Sequence, residues 1–175
     1  MIDRQSAILE YTSLLQKGEI QVAYKGIMES MTSIKSFFES LYPDYPTSSL
    51  YFGYMDMTYF AINPPDLKRE KLKIAIVYLH PSMRFEAWLC GTNKSIQRIY
   101  HDRFRSMEIK GYRLSPILPD VDSILETTLL QDPDFNDLHL MKDILRQRLD
   151  VFIQDMCKLV AAANPTHSMT KFDSF

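Results

Sequence analysis

The chain has 175 residues, two cysteines and a net charge of −2. That length corresponds to about one domain, which can bury roughly 70% of its unfolded surface and so folds without a disulfide or a structural metal. The charge argues against a protein that coats nucleic acid through bulk electrostatics, and no apolar run reaches the ~18 residues of a membrane span.

The elements follow in chain order. Asp3 caps a first helix that runs to about residue 17, with Ile8, Leu9, Tyr11, Leu14 and Leu15 as its apolar side and Gly18 as its stop. A second helix is expected over residues 19 to 42. Ile20, Tyr24, Ile27, Met28, Met31, Ile34, Phe37, Phe38 and Leu41 repeat near the 3.6 period, and Pro43 and Pro46 end it. Three strands then read consecutively, over residues 50 to 62, 72 to 79 and 84 to 90. Short connections between them make an antiparallel meander. The middle run, I-A-I-V-Y-L, is apolar on both parities and predicts an interior strand.

Asn93 caps a third helix to about residue 107, with Ile96, Ile99, Tyr100 and Phe104 buried. Residues 111 to 120 read as a proline-containing connection and 123 to 130 as a fourth strand. Asp132 and Pro133 read as cap and first residue of a final helix to residue 163, and residues 164 to 175 as a tail. The order α-α-β-β-β-α-β-α predicts one α+β domain over residues 1 to 163, an antiparallel-dominated sheet of about four strands with flanking helices.

Side chains two apart share a strand face. Tyr54 and Asp56 on the first strand, and Arg84, Glu86 and Trp88 on the third, are therefore expected to line one concave surface. Glu126 joins them from the fourth strand. Paired carboxylates beside aromatic area fit a ligand groove; they also fit acid–base or metal chemistry, or the half-solvated side of a sheet with its ions paired. On the third helix, Lys94, Arg98 and Arg105 fall with His101 on one stripe, followed by Lys110 and Arg113. This is a phosphate-facing pattern, and equally an ordinary solvent face. The four histidines form no HxH or HxxxH pair, the cysteines form no CxxC, and there is no P-loop, G-x-G-x-x-G or G-x-S-x-G. The residues thus name no metal site and no cofactor. The N-terminal stretch lacks a signal-peptide core, so a cytoplasmic location is expected.

Three segments, Y-M-D-M-T-Y-F, K-I-A-I-V and R-F-E-A-W-L-C-G, resemble those of an uncharacterised bacterial domain family, a likeness that covers most of the chain and implies no known activity. The element order is also similar in topology to restriction-endonuclease-like folds. That likeness would imply an acid on the second strand and an E-x-K on the third, together holding Mg²⁺. Glu86 meets the pattern, but Trp88 stands where the lysine would, and the second strand carries no acid. The expected role is a non-catalytic binding or interaction module for a small molecule or protein partner. The alternative is a metal-dependent phosphodiesterase or nuclease using Asp56, Glu86 and Glu126.

Overall fold

The computed structural model describes residues 3–164. At its centre is strand β2 (Leu72–Leu79), buried along nearly all of its length because its sequence is apolar on both parities. It pairs antiparallel with β1 (Met57–Ile62) on one side and β3 (Arg84–Gly91) on the other. The far side of β3 pairs with β5 (Ser123–Gln131), and a two-residue strand, β4 (Arg113–Leu114), pairs with β5 at the edge. The order is β1-β2-β3-β5-β4, antiparallel throughout, and its β1-β2-β3 meander is the one the short connections predict. With helices α1 (Arg4–Gln16), α2 (Glu19–Leu41), α3 (Pro65–Arg69), α4 (Lys94–Arg105) and α5 (Leu138–Ala163), the class is α+β.

The two faces of the sheet differ. Phe60, Ile62, Ile74, Ile76, Phe85 and Leu89 meet Met31, Ile34 and Phe38 of α2, Tyr100 and Phe104 of α4, and Leu145, Leu149, Phe152 and Met156 of α5. Each fully buried side chain of this size contributes about 1.5–3 kcal/mol, so this layer dominates stability. The opposite face carries only a small apolar cluster of Ala75, Val77 and Cys90, with Met57, Tyr59, Leu79 and Trp88 packed around it. No helix residue belongs to that cluster. No helix among the described residues is long and apolar enough to cross a membrane.

Several boundaries differ from the sequence expectation. The first strand begins at Met57 rather than residue 50, because Gly53, at φ 64°, and Met55, also at φ 64°, bend the chain. The preceding segment then folds back along β1, bridging Thr47 to Ile62 and Tyr51 to Tyr59. Pro65–Arg69 is a short helix rather than a plain turn, and β4 lies inside the expected proline-containing connection. The final helix is capped by Asp137, whose side chain accepts from Leu140 N, and not by Asp132, which sits at φ 48°. Ile99 is 42% exposed, and the polar Gln97 occupies the buried stripe with Tyr100 and Phe104. Helix α1 forms where expected, capped by Asp3, but buries none of its residues. Apart from Asn164, the C-terminal segment read as a tail lies outside the described residues.

Candidate functional site

The register fixes what the helix-free face presents. Tyr59, Val77 and Glu86 form one row across it; Ala61, Ala75, Trp88 and Glu126 form the next; Lys73 pairs with Cys90 beyond. Ala75 is small, so the surface is low beside Trp88, its partner on β3. A cleft of about 590 Å³ opens there, within the range of small-molecule sites. Ala75 and Cys90 form its floor and Tyr51, Tyr59 and Trp88 its aromatic walls. Lys73, Lys94 and Gln97 close one end, and the exposed Asp56, Asp120 and Asp122 stand at the rim.

Local structure positions each wall. Tyr51 reaches the cleft because its segment runs back along β1: Tyr51 N donates to Tyr59 O at 2.8 Å, and Tyr59 N returns the bond at 3.0 Å. The two rings lie with centroids 4.9 Å apart. The turn before β1 is held by Asp56, whose Oδ1 accepts from Tyr54 N at 2.8 Å. Backbone N–H groups of Tyr54 and Met57 keep the Asp56 carboxyl below its ordinary value. Gly53 is required there, since a Cβ would lie 2.1 Å from Met57 O.

Trp88 is locked from the side. Its Nε1 donates to Glu86 Oε2 at 2.6 Å, and Arg84 Nη2 lies 2.8 Å from Glu86 Oε1. On the next strand Arg113 Nη2 lies 2.5 Å from Glu126 Oε1, and Ser123 Oγ donates to Glu126 Oε2 at 3.4 Å. Burial pushes the Glu126 carboxyl above its ordinary value, against the opposing pull of Arg113. Both carboxylates are thus buried and ion-paired.

The closed end is built on α4. Asn93 caps it by accepting from Ile96 N at 3.0 Å. Gln97 Nε2 donates to Val121 O at 2.7 Å and Ser123 O at 3.0 Å, fastening the segment before β5 to the helix. Its Oε1 is buried with no hydrogen-bond partner among the described residues. Lys94 Nζ is occupied by Val121 O at 2.7 Å and Asp122 Oδ1 at 2.9 Å. Lys73 differs: it is half-buried, and among the described residues no carboxylate lies within ion-pair distance of it. The Cys90 thiol, pushed by burial up to about 12, stays protonated at neutral pH and is a poor nucleophile.

The five groove residues named from sequence do not share one concavity. Asp56 and Trp88 line the cleft; Arg84 and Glu86 line a second depression of about 380 Å³ with Arg113, Glu126, Thr127 and Thr128. Tyr54, 91% exposed, lines neither. The parity argument fails on the first strand because the turn at residues 53–56 interrupts it. Thr58 and Phe60 pair with Tyr78 and Ile76 on the helix-covered side, while Tyr59 faces the cleft. Of the basic stripe, Lys94 lines the cleft, Arg98 and Arg105 are exposed, and the His101 side chain is only 13% exposed. Among the described residues no three His, Cys, Asp or Glu side chains gather as a metal-binding group.

Sequence reading missed Tyr51, Tyr59, Lys73 and Gln97. Two signals pointed to them: Lys73 is the charged residue of an otherwise apolar strand, and Gln97 falls on the same helical stripe as Tyr100 and Phe104.

A family model described as a domain of unknown function (DUF7000) matches residues 4–160. No curated protein and no solved structure matches the chain.

Proposed function

We propose that this chain, which belongs to that family of domains of unknown function, is a non-catalytic binding module. Its ligand is a small planar molecule held in the cleft of the helix-free face. The observation that carries this reading is the fixed indole of Trp88, set by Glu86 and lining the cleft together with Tyr51 and Tyr59. A slot whose aromatic walls are already oriented loses little side-chain freedom on binding, which is the condition for useful affinity from a small contact area.

The metal-dependent nuclease reading has less support. Its carboxylates are engaged elsewhere: Glu86 with Arg84 and Trp88, Glu126 with Arg113 and Ser123, and Asp56 with its own turn.

The test uses the chain's single tryptophan. Its indole N–H gives one peak in a ¹H–¹⁵N spectrum, so a shift of that peak locates binding in the cleft. Titration with AMP, UMP, adenosine and 2-naphthoate is expected to move it with at least one probe, and Trp88→Phe to weaken the calorimetric signal. An indole peak unmoved by all four at millimolar concentration would overturn the reading.

A further inference from the structure

Two polar groups at the closed end of the cleft have no partner among the described residues. Gln97 is 2% exposed, and its amide nitrogen already serves two backbone carbonyls, so the amide orientation is fixed. Its Oε1 is left as a buried acceptor with no donor. Leaving a buried acceptor unsatisfied is unfavourable, and a ligand N–H that reaches it recovers part of that cost. The second group is the Lys73 ammonium, half-buried beside Cys90 with no carboxylate within ion-pair distance among the described residues. Lys94, the other cation of the cleft, is satisfied by Asp122. A ligand must therefore bring an anion for Lys73 and an N–H for Gln97, and fit a flat body between Tyr59 and Trp88.

From this we infer that the cleft takes a planar nitrogen heterocycle carrying both an N–H donor and an anionic group, the chemistry of a nucleobase bearing a phosphate or carboxylate. The inference rests on the cleft reading above and narrows it to a ligand class. Each partner has one role. Tyr59 and Trp88 stack the ring, Gln97 Oε1 accepts its N–H, and the Lys73 ammonium neutralises the anion. Of the acids at the rim, Asp122 is paired with Lys94, while Asp56 and Asp120 are exposed, so solvent screens their charge from an anion held at Lys73.

The test is calorimetry on the full chain, with the Trp88 indole peak as locator. AMP and UMP supply ring, N–H and anion; adenosine lacks the anion; 2-naphthoate lacks the N–H; inorganic phosphate lacks the ring. At least one nucleotide is expected to bind about tenfold or more tightly than each of the other three, since a hydrogen bond to a charged group is worth about 1.5–3 kcal/mol. Lys73→Met is expected to remove the nucleotide's tenfold advantage over adenosine, both ligands being measured on the same variant. Replacing Gln97 would also cut its bonds to Val121 and Ser123, so the N–H requirement is tested on the ligand side. If adenosine or 2-naphthoate moves the indole peak and binds as tightly as the nucleotides, the inference falls and the cleft reading stands. If no probe moves the peak, both fall together.

Discussion

Trp88 donates its indole N–H to one oxygen of Glu86 while Arg84 holds the other oxygen at 2.8 Å. The three residues alternate along one strand, so the strand period itself builds a chain from guanidinium to carboxylate to indole. Glu86 is 3% exposed, and a buried carboxylate survives only with partners of this kind. In the proposed site it is a positioning residue, which would act on a ligand only through the indole it holds.

Glu86→Ala leaves Arg84 without its ion pair and Trp88 without its acceptor. Stability is expected to fall by about 1–3 kcal/mol, roughly 2–12 °C in Tm for a chain of this size. The Trp88 indole peak is expected to move as well. Glu86→Gln retains an acceptor oxygen for the indole and should restore most of the peak position, though not the ion pair. An indole resonance unchanged in Glu86→Ala would show that packing alone orients the ring.

Glu126 sets a pH dependence of definite sign. Burial raises its folded-state pKa above the ordinary 4.5. The folded protein therefore holds this proton more tightly than the unfolded chain does. The associated stability is fully present below pH 4.5 and is lost as pH rises through the folded value. Glu126→Gln removes the titration while keeping an acceptor for Arg113 and Ser123. Measured against that variant across pH 3.5 to 7, the native chain is expected to lose relative stability as pH climbs above 4.5. A difference that stays flat, or that grows in the native chain's favour, would contradict the assignment.

Much of the sheet is written in the sequence because apolar parity is a local property. Strand β2 needs cover on both faces, and its ends at Leu72 and Leu79 are legible without any partner. The site is a matter of register, which is not local. Nothing in Y-F-G-Y-M-D-M alone says that Gly53 starts a turn that sends Tyr51 back against Tyr59. Reading that segment as continuous strand puts Thr58 in the cleft, whereas the register puts Tyr59 there. A two-residue edge strand such as β4 has too few residues to show a period at all. The cap of α5 was misplaced for a different reason. Asp132-Pro133 has the residue types of a helix start, but Asp132 is taken up in left-handed backbone after β5, and the helix begins only after Asp137.

The basic stripe of α4 is expected not to bind nucleic acid. Lys94 is drawn into an ion pair with Asp122, and His101 is turned away from solvent. Lys110 and Arg113 are likewise drawn to Glu108 and Glu126, which leaves Arg98 and Arg105 of the five as exposed cations with no ion pair among the described residues. Five phosphate contacts would give a log–log salt slope near −4, whereas two would give one near −2 and little affinity at any physiological salt. A gel shift at low ionic strength should show no retention of DNA or RNA. Retention abolished by Arg98→Glu with Arg105→Glu would reverse this conclusion.

Two glycines should respond to alanine in opposite directions. At Gly53, φ is 64° and an added Cβ would lie 2.1 Å from Met57 O and 2.6 Å from Asp56 Oδ1. The first of these is backbone, so the turn itself must shift. Gly53→Ala is expected to cost about 1–3 kcal/mol in strain. It should also weaken any ligand of the cleft, because the turn aligns Tyr51 against Tyr59. Gly26 lies inside α2, and an added Cβ there would meet nothing within 4 Å. Gly26→Ala removes unfolded-state freedom at a site that accepts a side chain and should stabilise by about 0.5–1 kcal/mol. Urea unfolding of both variants beside the parent checks the pair. Equal midpoints for Gly53→Ala and the parent would mean that the turn at residues 53–56 relaxes freely, and the Tyr51 wall with it.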